Sequence, residues 1–207
     1  MGCACLWAVP YERISAVTHP VYLVRHGQSE WNVLRLTQGQ TSHPRLTSLG
    51  RRQAQRAASL IGEDLAGRPV TRILTSDLVR AVETAEVVSR ALQAPVALDT
   101  RLREQHLGEL EGRGYDETWA AGEAHDWSDP ALPLAGGESL LEVHDRLGAV
   151  LAEVAEHDGG VTVLVSHGDA IRAAIARLTG VAPHEAPWVE VANGAVARVE
   201  RAITWLG

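Results

Sequence analysis

The sequence predicts an α/β fold: a three-layer α/β/α sandwich with a mostly parallel central sheet. Two short runs, "VYLV" (21–24) and "VTVLV" (161–165), are continuously apolar, as strands covered on both faces are. Four stretches of helical periodicity alternate with such runs, and that alternation builds parallel sheets. At 207 residues the chain has room for one domain with a substantial core.

The elements follow in order. Residues 1–20 read as a leader, and 21–207 as a single domain. After the first strand, residues 48–66 set Leu49, Leu60, Ile61 and Leu65 near one side of a helix. "VTRILTS" (70–76) is a weaker strand, and 77–92 repeats Leu78, Val82, Ala85, Val88 and Leu92 at helical spacing. Residues 108–137 are rich in Gly, Pro, Trp and acids and read as an irregular lid or insertion. In 140–157, Leu140, Val143, Leu147, Val150, Leu151 and Val154 form a stripe, and Ser139 with Glu142 makes a capping box. Ile171, Ile175 and Leu178 mark a last helix over 169–179, with Gly180 placed to cap it. "AVARVERAITWL" (195–206) alternates and reads as an edge strand.

Composition narrows the function. Apolar residues make up 45% and charged residues 22%, which is globular rather than disordered. A formal charge of −7 argues against a nucleic-acid binder, which would present a basic face. All 19 basic residues are arginine, and the Ala/Arg/Val bias reads as that of a GC-rich bacterial genome. Cys3 and Cys5 are too few for a disulfide framework, and Leu6 stands where a myristoylation signal wants Ser or Thr. With no apolar run of membrane-spanning length and no signal-peptide core, the expectation is a cytoplasmic protein with no membrane partner.

The chemistry is written at two strand ends. "RHGQ" (25–28) closes the first strand and "SHGD" (166–169) closes the second, with a helix following. Ligands of open α/β sheets collect outside the carboxyl ends of the strands, so neighbouring strands would bring His26 and His167 together. Gly27 and Gly168 would then be places where a ligand approaches the backbone and leaves no room for a Cβ. Arg25 beside an imidazole suits a phosphate, whose oxygens a guanidinium fork binds in pairs. Arg80, in "TSDLVRAVETA" (75–85), is a candidate second cation, or else a surface partner of Glu83 or Glu86. "TRLREQHLGELEG" (100–112) offers Glu104, Glu109 and Glu111 as proton donors, and composition does not choose among them. A metal held by His167 and Asp169 lacks the ligand cluster it would need.

Taken in order, "RHGQSEWN", "LTSLGRRQA", "SDLVRAVETA", "LREQHLGELEG", "GGES" and "VSHGD" resemble the histidine phosphatase superfamily, also called phosphoglycerate mutase-like. The resemblance runs from Val21 to about Leu178. It implies the phosphoglycerate mutase-like fold, with His26 as the nucleophile that takes the phosphoryl group. It further implies a phosphate pocket of Arg25, Arg80 and His167, aided by Asn32 and the Gly168 backbone. Glu104 matches the proton donor, and Gln38 and Gly39 match positions bordering the substrate. Neither metal nor cofactor is implied, because arginines and histidines supply the positive charge.

One departure bears on the reaction. Between Glu104 and His167 the only arginines are Arg113 and Arg146, where cofactor-dependent mutases carry more cations to hold a second phosphate. The expectation is a phosphomonoesterase acting on a small phosphorylated metabolite, a sugar phosphate or a phosphoglycerate derivative. A phosphoglycerate mutase is the alternative, and a non-catalytic phosphate-binding relative the third reading. Trp119, Trp127 and Tyr115, in the lid, would either stack on the substrate or pack the domain. The chain is expected to be a monomer or a homodimer.

Overall fold

The computed structural model describes residues 19–157 and 159–207. The readings made of Met1, Gly2, Cys3 and Cys5 fall outside those residues. Six strands form one sheet: β1 (Val21–Arg25), β2 (Val70–Thr75), β3 (Val96–Leu98), β4 (Val161–Ser166), β5 (Val196–Val199) and β6 (Ile203–Leu206). Their order is β3-β2-β4-β1-β5-β6. The pairs β2/β3, β2/β4 and β1/β4 are parallel, while β1/β5 and β5/β6 are antiparallel.

Helices cover both faces. Among α1 (Glu30–Leu34), α2 (Ser48–Leu65), α3 (Val79–Leu92), α4 (Tyr115–Ala124), α5 (Leu140–Glu156) and α6 (Gly168–Thr179), four form the outer layers. Alternate residues of β1 point opposite ways. Tyr22 and Val24 join Ala57, Ile61, Ala81 and Val88 of α2 and α3 in one core. Val21 and Leu23 join Val143, Leu147, Ile171 and Ala174 of α5 and α6 in the other. The continuous run in β1 is therefore two half-runs, one for each core, as expected of a strand covered on both faces.

Several sequence expectations change in detail. The segment 195–206 is a hairpin rather than one edge strand. Its first half pairs with β1 inside the sheet, and only β6 lies at the edge. Leu49 is exposed, because the buried side of α2 runs through Gly50, Ala54, Ala57, Ala58, Ile61 and Leu65. The small residues there let α2 approach closely, and a pattern read from large apolar residues alone misses them. The helix expected from 77 begins at Val79. Two helices were not expected. Short α1 rests on Ser29, whose hydroxyl accepts from Asn32 N while Asn32 Oδ1 accepts from Ser29 N. Within 108–137, α4 buries no residue, so it leaves no apolar period to read.

Among the described residues no helix is long and apolar enough to cross a membrane.

Candidate active site

The register decides where the two motifs meet. Arg25 pairs with Ser166 across β1 and β4, so the residues that follow leave the sheet side by side. The His26 and His167 rings lie 5.1 Å apart, edge to face. β2 ends beside them, with Ser76 N donating to Val165 O at 3.0 Å. The chain leaving β2 then turns Arg80 back from the first turn of α3.

His26 is buried, and its Nδ1 lies 2.7 Å from Gly27 O. A carbonyl only accepts, so Nδ1 carries the proton and Nε2 keeps its lone pair. Burial, and then the Arg80 and Arg25 guanidiniums, hold this imidazole well below its ordinary 6.5. The same forces depress His167, whose two ring nitrogens are buried without a partner.

The arginines are anchored from behind. Arg25 donates through Nη1 to Val191 O at 2.5 Å, and Arg80 donates to Thr41 O at 2.8 Å and Gly39 O at 2.7 Å. Burial lowers Arg80 to about 10, which still leaves it charged at neutrality. Arg80 pairs with neither acid considered for it. Glu83 takes Arg45 and Arg51 instead, and Glu86 lies near Arg90. Arg25 Nε and Arg80 Nε are both buried and unpartnered.

Of the three candidate acids, only Glu104 lines the cavity with these groups. It accepts from Ala170 N (3.0 Å) and Asp169 N (3.3 Å) in the first turn of α6, and from Gln105 N (3.1 Å). Burial first and Asp169 second still push its carboxyl above the usual range, against the pull of these N–H groups and Arg25. Glu111 is occupied with Gln40 N, Leu107 N and Thr41 Oγ1, and Glu109 is exposed.

A cavity of about 840 Å³ holds Arg25, His26, Asn32, Gln38, Gly39, Arg80 and Glu104 on its walls. Asn32 also bonds Tyr115 and Asn193, Gln38 accepts from Ser29 Oγ, and Gly39 contributes the carbonyl under Arg80. His167 and Gly168 lie just behind the lining. A Cβ on Gly168 would stand 3.7 Å from the Arg25 guanidinium, which is ordinary contact. Gly27 is a different case from the one expected. A Cβ there would strike the backbone of Gly50 in α2, so helix packing, and no ligand, requires the glycine.

Trp119 and Trp127 line the cavity at 63% and 39% exposure, which removes the packing alternative for them. Sequence reasoning missed the contribution of Pro183, His184, Ala186, Pro187 and Trp188 to the lining, and that of Arg172 from α6. "VAPHEAPWVE" (181–190) held the signal: a tryptophan in a proline-punctuated loop has no strand or helix to bury it. Thr84 was missed as well. Its hydroxyl accepts from Gly27 N at 3.1 Å and donates to Arg80 O at 2.8 Å, tying the His26 loop to the Arg80 helix.

The geometry has clear relatives. The sequence is 35% identical over 187 residues to a Salmonella choleraesuis (strain SC-B67) protein named "Probable phosphoglycerate mutase GpmB", covering 87% of this chain and 84% of that one. A mycobacterial glucosyl-3-phosphoglycerate phosphatase structure matches with TM-score 0.76 at 31% identity, over 91% of this chain and 97% of that one. Bacillus stearothermophilus YhfR matches with TM-score 0.74 at 33% identity, over 88% and 91%. The family model of the histidine phosphatase superfamily (branch 1) matches residues 21–202, and to that family this chain belongs.

Proposed function

We propose that this protein is a metal-independent phosphomonoesterase that hydrolyses a small phosphorylated metabolite through a phosphohistidine at His26. The carrying observation is a set of unpartnered buried groups. Among the described residues six buried side-chain polar atoms lack a hydrogen-bond partner, and four belong to Arg25, Arg80 and His167. Leaving such a group unpaired costs about 1–3 kcal/mol, so their convergence beside His26 supports an anion as the missing partner. A mycobacterial relative has been solved with inorganic phosphate.

In this reading the Nε2 lone pair of His26 attacks phosphorus, and the bond to the ester oxygen breaks. Glu104 gives its proton to the departing alkoxide. Its carboxylate then takes a proton from water, whose oxygen attacks phosphorus and breaks the P–N bond. The arginines and His167 hold the equatorial oxygens, where transition-state charge spreads. Neutral His167 adds a ring N–H, and the two guanidiniums supply the positive charge a metal would supply elsewhere. The described residues contain no group of three or more His, Cys, Asp or Glu placed to hold one.

A mutase remains the second reading, favoured by the name of the Salmonella relative. Against it, Arg146 is committed to Glu138 and three backbone carbonyls, leaving it no hold on a second phosphate. We also read 21–207 as one catalytic unit, working in the cytoplasm.

The test is phosphate release from p-nitrophenyl phosphate, sugar phosphates, phosphoserine and 3-phosphoglycerate in excess chelator, with a parallel mutase assay. Chelator-resistant hydrolysis, with an acid-labile phosphoenzyme absent from His26→Ala, is expected. Isomerisation outpacing hydrolysis would establish the mutase reading. Phosphate binding without turnover would leave a non-catalytic binder.

A further inference from the structure

We infer that the ester this site prefers carries an uncharged, ring-bearing alcohol, stacked on tryptophans that two separate segments bring to one cavity. This rests on the phosphatase reading and narrows its substrate.

Charge is the first argument. Arg25 and Arg80 are aimed at the phosphate end. Among the described residues the one other arginine lining the cavity is Arg172, and it is already engaged. Its Nη1 donates to Asp169 at 2.5 Å and its Nε to Val189 O at 2.7 Å, while its guanidinium lies 4.7 Å from the Trp188 ring. Glu123 and Asp169 add two carboxylates to the same lining. A carboxylate or second phosphate on the alcohol would meet those two carboxylates, against the imidazole of His184 and one arginine already drawn to Asp169. Desolvating an unpaired anion is costly, so the lining selects against it.

Shape is the second. Trp119, Trp127 and Trp188 are 63%, 39% and 66% exposed, yet all three border this one cavity. Two of the rings are fixed. The Trp127 indole N–H donates to Gly122 O at 2.7 Å, with His125 against its ring at 4.5 Å, and Trp188 lies on Arg172. A ring held at its polar end or by a cation, with a face left open, is a preformed stacking surface that costs little entropy on binding. The cavity, at about 840 Å³, lies within the roughly 300–1,000 Å³ that encloses drug-sized ligands.

The experiment compares kcat/KM for three esters of primary alcohols, so that leaving-group basicity is matched: 2-(1-naphthyl)ethyl phosphate, glycerol 1-phosphate and 3-phosphoglycerate. The naphthyl ester should exceed 3-phosphoglycerate by about 30-fold or more. Trp119→Ala and Trp188→Ala should each lower the naphthyl-to-glycerol ratio about fivefold, and Trp188→Phe should restore it. Trp119→Arg should raise turnover of 3-phosphoglycerate, since it supplies the missing cation. Preference for 3-phosphoglycerate, or a ratio unmoved by both alanine variants, would overturn the inference while leaving the phosphatase intact. Release from none of the three would overturn both.

Discussion

Arg146 offers the sharpest test of how the fold holds Glu104, the proposed proton donor. Its guanidinium, on α5, grips both oxygens of Glu138 at 2.9 Å and the carbonyls of Arg101, Arg103 and Glu104 at 2.7, 2.7 and 2.9 Å. Arg146, only 16% exposed, thus makes three of the side-chain bonds to the backbone that carries Glu104, and Gln40 Nε2 adds another to Glu104 O at 3.1 Å. Arg146→Met keeps most of the apolar stem and removes all five donors. Breaking a buried ion pair costs about 3–5 kcal/mol. Glu138 keeps donors from His106 N and Gln40 Nε2, so the lower end applies. About 3 kcal/mol lowers Tm by roughly 6–12 °C in a chain of this size. Arg146→Lys should recover only part of this, since an ammonium cannot span a carboxylate and three carbonyls.

Stability alone would not show that the donor is affected, so the assay also varies the leaving group. A nitrophenolate leaves without help, whereas an alkoxide needs the Glu104 proton. General acid catalysis is worth about 10²–10⁴ in rate, and a displaced donor forfeits part of it. Arg146→Met should therefore lose about tenfold more on an alkyl phosphate than on p-nitrophenyl phosphate. Glu104→Gln should show the same selectivity more strongly. If both esters fall by one factor, or urea unfolding shifts by less than about 0.5 kcal/mol, the positioning argument is wrong.

Four further outcomes follow from the same geometry. The depressed His26 and His167 stay neutral in the folded chain while their unfolded counterparts protonate. They therefore cost nothing above 6.5, where both states are neutral, and below it stability falls with pH at up to about 1.4 kcal/mol per pH unit for each histidine. Urea unfolding at pH 7.5, 6.5 and 5.5 measures the slope, and His167→Gln should reduce it by one histidine's share. Gly27→Ala should cost about 3 kcal/mol by forcing apart the Gly27 and Gly50 backbones. Gly168→Ala should keep its stability within about 1 kcal/mol and weaken phosphate binding, and thermal shifts with and without phosphate separate the two. Thr84→Val should destabilise by about 1–3 kcal/mol, since it leaves the Gly27 N–H without an acceptor. It should also slow turnover, and Thr84→Ser should restore both properties.

Much of the site could be read from the chain because its groups sit at strand ends. A strand end is marked by where an apolar run stops, and "RHG" and "SHG" each follow a run directly. The β1/β4 pairing brought them together, as neighbouring parallel strands would. Composition could not separate Glu104, Glu109 and Glu111, and only the family resemblance pointed to Glu104, because choosing among acids on physical grounds requires knowing which one meets the α6 amides. Gly27 shows the opposite failure. Its glycine was legible but its reason was not, since the obstacle is a backbone over twenty residues away.

The sequence by itself determined the layered α/β class, the two histidine-bearing strand ends and the arginines beside them. Each follows from local periodicity, or from which residue types stand next to one another. Tertiary structure alone decided the order of the strands, the burial of Arg80 away from Glu83 and Glu86, and the tryptophan lining drawn from 115–127 and 183–188. These depend on separations across the chain that leave no periodic trace. That lining comes from a helix with no buried residue, the turn after it and a loop with no repeat, so its meaning exists only once these segments border the same cavity.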